Sequence, residues 1–205
     1  GVEKAHLVGH SFGGVVALHY AILHPERVIS LILADTRVRA LQPVQHLRDL
    51  PYWKSIKKKL NELGVSISED EPEVGYRLLE EFANAKLRTP RSGSNPRSPF
   101  FVPFGKWPGN GATKRWLRLL NTTTAKEDFK AVAGLTLDRI RQVHHPTLAI
   151  YGEYSLCLPS CRGLQENLPY CKTIVVPGVG HFHPVVKPEI FIRNLRGFLL
   201  DLVVE

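Results

Sequence analysis

The chain has 205 residues, 43% hydrophobic and 22% charged, a composition typical of one globular domain with room for an inserted subdomain. Its formal net charge is +8, with lysines at positions 54, 57, 58 and 59. Because no nucleic-acid motif accompanies these lysines, we interpret them as a solvated helix face and predict no nucleic-acid partner. No apolar run reaches the ~18 residues of a transmembrane helix, so we expect no membrane span.

The first functional signal is a glycine-flanked serine near the N-terminus. Residues 2–8 predict a strand, residues 11–23 predict a helix, and Gly9-His10-Ser11-Phe12-Gly13 lies between them. The two glycines let strand and helix approach closely around a serine held in a strained backbone conformation. This order predicts a nucleophile elbow, and a simple glycine-rich turn is the alternative.

The following residues predict a buried parallel sheet. Residues 28–34 form a continuous apolar run of strand length, typical of a sheet covered on both faces, and Asp35 follows directly. Further strands are expected over 147–151 and 172–176, and helices over 122–132, 159–168 and 188–202.

The middle of the chain has a different character. Residues 44–63 and 71–88 predict helices, with Pro51 as a break in the first. The loop-like stretch 88–111 carries more aromatic residues than a disordered linker normally does: Phe100, Phe101, Phe104 and Trp107. We interpret 38–120 as a helical cap with this loop as a pocket wall. A loop that is merely pinned to the core by its aromatic side chains is the alternative.

The three cysteines, Cys157, Cys161 and Cys171, are too few for a disulfide scaffold. Cys157 and Cys161 are four residues apart and could share a helix face, which leaves a local disulfide open. We predict reduced thiols in a cytoplasmic protein, and no zinc site, because such a site needs more ligands at defined spacing.

Three motifs resemble those of the α/β-hydrolase superfamily. Residues 7–14 resemble its nucleophile elbow, and 146–153 and 175–182 resemble its last two strands and its catalytic-histidine loop. The resemblance implies an α/β fold with a mostly parallel sheet, flanking helices and an inserted helical cap. The implied core is 1–37 with 121–205, and the cap is 38–120.

The resemblance also implies that this chain is the C-terminal portion of a longer protein. Complete members have several strands before the nucleophile, and a loop among those strands supplies half of the oxyanion hole. The N-terminal strands are therefore expected to be missing here. With only the backbone N–H of Phe12 as an oxyanion donor, residues 1–205 alone are expected to be inactive.

A serine nucleophile needs a base, and His181 is the candidate. It follows the last predicted strand in Gly178-Val-Gly-His-Phe, where the glycines let the loop bend back toward Ser11. His183 forms a His-x-His pair with His181, but without a third ligand we predict no metal. His10, Phe104 and Trp107 are candidate substrate contacts, and packing is the alternative for each.

The acid that orients the base has more than one candidate in the sequence. The resemblance places it in a Gly-x-x-Asp pattern, but the chain has Gly152-Glu153-Tyr154-Ser155, so Ser155 stands at the acid position. Asp35, at the end of the strand over 28–34, is the first choice, and Glu153 is the second. A weakened or absent triad is the third possibility.

The sequence thus predicts a serine hydrolase that cleaves an ester, thioester or lactone through an acyl-Ser11 intermediate. Its partner is a small acyl substrate, and no metal or organic cofactor is implied. Two alternatives stay open: an acyltransferase that uses the same nucleophile, and a catalytically weak protein that binds a small apolar ligand or a partner on a hydrolase scaffold.

Overall fold

The computed structural model describes residues 1–42, 44, 46–50, 52–72, 74–88, 111–132 and 134–204. These residues divide into two units, 1–42 with 132–205 and 43–131. The proposed boundaries of a core over 1–37 with 121–205 and a cap over 38–120 stay predictions.

The first unit contains a parallel sheet. Its strands lie in the order in which they occur along the chain: β1 (Ala5–His10), β2 (Val28–Ala34), β3 (Thr147–Gly152) and β4 (Cys171–Val176). Each strand pairs in parallel with the next, so all four carboxyl ends meet at one edge. The prediction of an α/β fold with a mostly parallel sheet and flanking helices is confirmed.

The helices, in chain order, are α1 (Phe12–Leu23), α2 (Trp53–Glu62), α3 (Val74–Arg88), α4 (Gly111–Thr122), α5 (Ala125–Lys130), α6 (Leu137–Arg141), α7 (Leu158–Asn167), α8 (His183–Val186) and α9 (Pro188–Val204). Single 3₁₀ turns occupy Pro25–Arg27 and Leu47–Asp49. Within the described ranges, no helix has the length and apolar character needed to cross a bilayer.

The continuous apolar run of β2 is explained by burial on both faces of the sheet. Leu31 and Leu33 belong to a cluster that includes buried residues of α1 and α7. Ile32 and Ala34, whose side chains point the other way, belong to a second cluster with residues of α9. All four are fully buried, and this double burial removes the polar face that a half-exposed strand would carry.

Two sequence-based helix boundaries are wrong in the second unit. The helix expected over 44–63, with a break at Pro51, is instead a 3₁₀ turn at Leu47–Asp49 followed by α2, which begins at Trp53. The helix expected over 122–132 is divided, because α4 ends at Thr122 and α5 begins at Ala125. Pro51 and the aromatic loop lie outside the described residues.

Threonine side chains account for the break between α4 and α5. The Thr122 hydroxyl donates to the Arg118 carbonyl at 2.8 Å, and the Thr123 hydroxyl donates to the Leu119 carbonyl at 2.6 Å. Such bonds compete with the helical backbone pattern, so a run of threonines favours a helix end.

The approach of β1 to α1 requires glycine at position 9 but not at position 13. A Cβ at Gly9 would overlap the backbone of Gly13 and Gly14, whereas a Cβ at Gly13 would have nothing within 4 Å. We expect Gly9→Ala to lower the free energy of unfolding by about 2 kcal/mol or more, as overpacking does. Gly13→Ala should raise it by up to about 1 kcal/mol, because alanine is the better helix former.

Urea unfolding of the two variants beside the unmodified protein measures both effects. Equal changes in the two variants would contradict this account of the β1–α1 contact.

Candidate active site

Ser11 lies at a sharp turn between β1 and α1, at the carboxyl edge of the sheet. Its backbone has φ 56° and ψ −124°, a left-handed φ that non-glycine residues rarely adopt. The Ser11 N–H donates to the Ala34 carbonyl at 2.9 Å, and the Gly14 N–H donates to the Ser11 carbonyl at 3.1 Å. These bonds hold the turn to β2 and place Ser11 immediately before the first turn of α1.

His181 lies in the loop between β4 and α8, and its ring meets Ser11. The Nε2 atom of His181 is 3.0 Å from the Ser11 Oγ, within hydrogen-bond distance. The preceding loop bends at Gly178, which has φ 70°. Close packing also requires Gly152, since a Cβ there would lie 2.5 Å from the Gly180 carbonyl oxygen.

His10 connects the serine turn to the histidine loop. Its Nε2–H donates to the His181 carbonyl at 2.8 Å, and the two ring centroids are 4.9 Å apart. Burial, with a smaller effect from the charge of His181, lowers the pKa of His10 to about 4, so this ring is neutral near pH 7. The His10 ring is therefore occupied by the loop, and its predicted substrate contact stays a prediction.

Asp35 follows β2 and is fully buried. Its backbone has φ 47°, and its N–H donates to the Ile150 carbonyl at 3.1 Å. The carboxylate Oδ2 accepts a hydrogen bond from the Gly152 N–H at 2.9 Å and lies 3.0 Å from the His183 Nε2. The other oxygen, Oδ1, is 3.7 Å from the His181 Nδ1.

The ionisable groups around Asp35 shift one another's pKa values. Burial raises the pKa of Asp35, but the neighbouring His181 and His183 outweigh burial and hold the pKa below its ordinary value. Burial lowers the pKa of His181, but the Asp35 carboxylate, with the Cys157 thiol, outweighs burial and raises the pKa to about 10. A carboxylate that remains ionised at neutral pH thus faces the imidazole that contacts Ser11.

The other two acid candidates have different partners. The Glu153 carboxylate lies on an exposed loop and accepts a hydrogen bond from the Gly178 N–H at 2.7 Å. The Ser155 Oγ accepts from the Cys157 N–H at 3.0 Å, just before α7. Phe104 and Trp107, the other predicted substrate contacts, lie outside the described residues.

Two residues at the site are missed by the sequence analysis in these roles. The sequence indicates His183 only as a possible metal ligand. In the structure its Nε2 faces two acceptors, Asp35 Oδ2 and the Ile150 carbonyl, and this atom therefore carries the proton. The Cys157 Sγ lies 3.9 Å from the His181 Nδ1. The His-x-His spacing is a signal for His183, whereas no local pattern marks Cys157.

Asp35, Cys157 and His181 also offer metal-ligating atoms that all lie within 4.8 Å of one another.

The chain matches the family model described as the alpha/beta hydrolase fold over residues 1–188. It is 25% identical over 214 residues to a 1-acylglycerol-3-phosphate O-acyltransferase of Homo sapiens, an alignment that covers 96% of this chain and 57% of that protein. The chain thus spans little more than half the length of this relative. It is also 29% identical to a proline iminopeptidase of Lactobacillus delbrueckii subsp. bulgaricus, with 98% of this chain and 67% of that protein covered.

Solved structures show the same fold. A meta-cleavage product hydrolase from Pseudomonas fluorescens IP01 has a TM-score of 0.59 at 18% identity, with 98% of this chain and 66% of that chain covered. A bacterial membrane phospholipase A has a TM-score of 0.62 at 20% identity, with 98% and 58% covered.

The Asp35 carboxylate is expected to control the titration of His181. In Asp35→Asn the negative charge is lost, so the pKa of His181 should fall from about 10 toward its ordinary value of 6.5. Glu153→Gln is the matched control and should leave this pKa unchanged. NMR titration of the imidazole resonances, in buffer with a chelator, measures both variants. An unchanged pKa in Asp35→Asn would contradict the assignment of Asp35 as the partner of His181.

Proposed function

The chain belongs to the alpha/beta hydrolase fold family, and we propose that it is a serine hydrolase that cleaves an ester, thioester or lactone through an acyl-Ser11 intermediate. The observation that carries this proposal is the 3.0 Å separation of the Ser11 Oγ and the His181 Nε2 at a turn with positive φ. A serine that only formed a turn would need neither the strained backbone nor a partly buried imidazole against its hydroxyl.

The first step is attack of the Ser11 Oγ on the substrate carbonyl carbon. The reactive form of His181 is the neutral ring, which a pKa of about 10 makes the minor form near pH 7. Its Nε2 accepts the hydroxyl proton as the bond to carbon forms, so the imidazole becomes imidazolium. Asp35, which faces Nδ1, stabilises that positive charge and selects the tautomer with the proton on Nδ1. The buried carboxylate is suited to this role because its pKa stays below its ordinary value.

The negative charge that develops on the carbonyl oxygen needs hydrogen-bond donors. Phe12 is the first residue of α1, so its backbone N–H points to the amino end of a helix, where the dipole favours an anion. The protonated His181 then donates its proton to the leaving group, which leaves the acyl group on Ser11. Water, activated by His181 in the same way, releases the acid and restores the serine.

An acyltransferase is a second candidate, and one specific observation favours it. The relatives that match 96% of this chain include proteins named 1-acylglycerol-3-phosphate O-acyltransferase. An alcohol acceptor would replace water in the second half of the reaction, with Ser11 and His181 unchanged in role. The two candidates differ in the acceptor and not in the acyl-enzyme.

Product analysis distinguishes the two reactions. We expect a purified preparation given an acyl-CoA thioester and 1-acylglycerol-3-phosphate to transfer the acyl group mainly to water and so to form free fatty acid. Predominant diacylglycerol-3-phosphate, lost in Ser11→Ala, would replace the hydrolase proposal with the acyltransferase.

Covalent labelling tests the nucleophile directly. A fluorophosphonate probe should label the full-length protein, which is used for every activity and labelling measurement, and Ser11→Ala should abolish labelling. Asp35→Asn should slow labelling by a large factor, up to the order of 10⁴ by analogy with loss of the acid in serine proteases. Glu153→Gln, the matched control, should label at the normal rate.

Two outcomes would redirect the proposal. Slow labelling in Glu153→Gln, with normal labelling in Asp35→Asn, would make Glu153 the acid. No labelling of a folded, unmodified protein would favour a binding protein on a hydrolase scaffold.

A further inference from the structure

A thiol completes a set of metal-ligating atoms on the side of His181 that faces away from Ser11. Asp35 Oδ1, Cys157 Sγ and His181 Nδ1 all lie within 4.8 Å of one another. Cys157 directly precedes α7 and is buried, and no step of the reaction proposed above uses its thiol. The three atoms come from the end of β2, the start of α7 and the loop after β4.

The distances in this cluster are close to those around a tetrahedral ion. Zinc bonds of about 2.0–2.3 Å at tetrahedral angles separate neighbouring ligand atoms by about 3.3–3.7 Å. The His181 Nδ1 is 3.7 Å from Asp35 Oδ1 and 3.9 Å from Cys157 Sγ. Small side-chain shifts would therefore bring all three atoms into the coordination sphere of one ion.

The Asp35 carboxylate supplies an independent observation. Its Oδ1 is buried and, among the described residues, has no hydrogen-bond partner, an arrangement that is costly for a carboxylate oxygen. The other oxygen is held by the Gly152 N–H and by His183. This oxygen, which is too far from the His181 Nδ1 for a hydrogen bond, lies within 4.8 Å of both the imidazole and the Cys157 thiol. Metal-ligating carboxylates are likewise fixed by outer hydrogen bonds.

We propose that Asp35, Cys157 and His181 form an inhibitory site for a thiophilic divalent cation, with Zn²⁺ as the best match. The mixed sulfur, nitrogen and oxygen donors suit Zn²⁺ and disfavour Mg²⁺ and Ca²⁺, which prefer all-oxygen sites. Three protein ligands leave a fourth position for water. The inhibitory effect rests on the proposed function, whereas binding of the cation does not.

Inhibition follows from the two nitrogens of His181. When Nδ1 donates its lone pair to the ion, the remaining proton of the neutral ring lies on Nε2. Nε2–H then donates to the Ser11 Oγ and cannot accept the serine proton, so the nucleophile is not activated. Near pH 7 coordination releases two protons to solvent, one from the Cys157 thiol and one from Nδ1 of the His181 imidazolium, and no oxidant or reductant is needed.

Cobalt substitution tests the site without reference to activity. Co²⁺ added to the chelator-treated protein should give a sulfur-to-cobalt charge-transfer band in the near ultraviolet, and stoichiometric Zn²⁺ should displace it. Cys157→Ala should lose the band. Cys161→Ala is the matched control, because Cys161 is a buried thiol within α7 and outside the cluster, and this variant should keep the band.

Inhibition is measured on hydrolysis of a p-nitrophenyl ester or on fluorophosphonate labelling. Zn²⁺ should suppress both, and a chelator should restore them. The inhibition constant for Zn²⁺ should rise at least about tenfold in Cys157→Ala, relative to the metal-free rate of that variant, since loss of even an outer partner costs that much. Cys161→Ala should be inhibited like the unmodified protein.

The outcomes separate this inference from the hydrolase proposal. A cobalt band that depends on Cys157, in a protein whose Ser11 is not labelled, would retain the metal site and overturn the serine hydrolase. Ser11 labelling without a cobalt band, or with equal zinc inhibition in both cysteine variants, would overturn the metal site and retain the hydrolase.

Discussion

The buried negative charge of Asp35 is the feature on which the arrangement of the site depends. An uncompensated carboxylate in a protein interior costs several kcal/mol, and Asp35 has no exposed surface. Compensation comes from the Gly152 N–H at the end of β3, from His183 on α8 and from His181 in the loop before it. Because these groups lie on separate elements, satisfying one carboxylate fixes all of them relative to β2.

The sheet also sustains backbone strain at two adjacent positions of its edge. Ser11 and Asp35 follow neighbouring parallel strands, and both have positive φ, at a cost of about 1–3 kcal/mol each. Their N–H groups continue the strand pairing, to the Ala34 carbonyl at 2.9 Å and the Ile150 carbonyl at 3.1 Å. The hydrogen bonds between strands therefore offset the strain, and they place the serine and the carboxylate one strand apart.

The fold was predictable wherever burial leaves a local pattern. The apolar run over 28–34 predicted the bounds of β2 correctly, because both faces of that strand are covered. The residues before the break predicted at Pro51 were expected to be α-helical but form a 3₁₀ turn, because hydrophobic spacing does not distinguish such a turn from the start of an α-helix. At the site, Ser11 has a local motif, whereas the contact of Cys157 with His181 joins residues 24 positions apart and depends on the path of two loops.

The position of the carboxylate determines what surrounds the Nδ1 atom of His181. Position 155, where the family resemblance places the acid, holds a serine whose oxygen accepts a hydrogen bond from the Cys157 N–H in the segment before α7. With the carboxylate supplied by β2 instead, Nδ1 is approached by Asp35 on one side and by the Cys157 thiol on another. A carboxylate stabilises the imidazolium that the proposed reaction forms, and a carboxylate with a thiol also attracts a soft cation. A proton and a metal ion compete for the same lone pair of Nδ1, so the proposed catalysis and the proposed inhibition exclude each other.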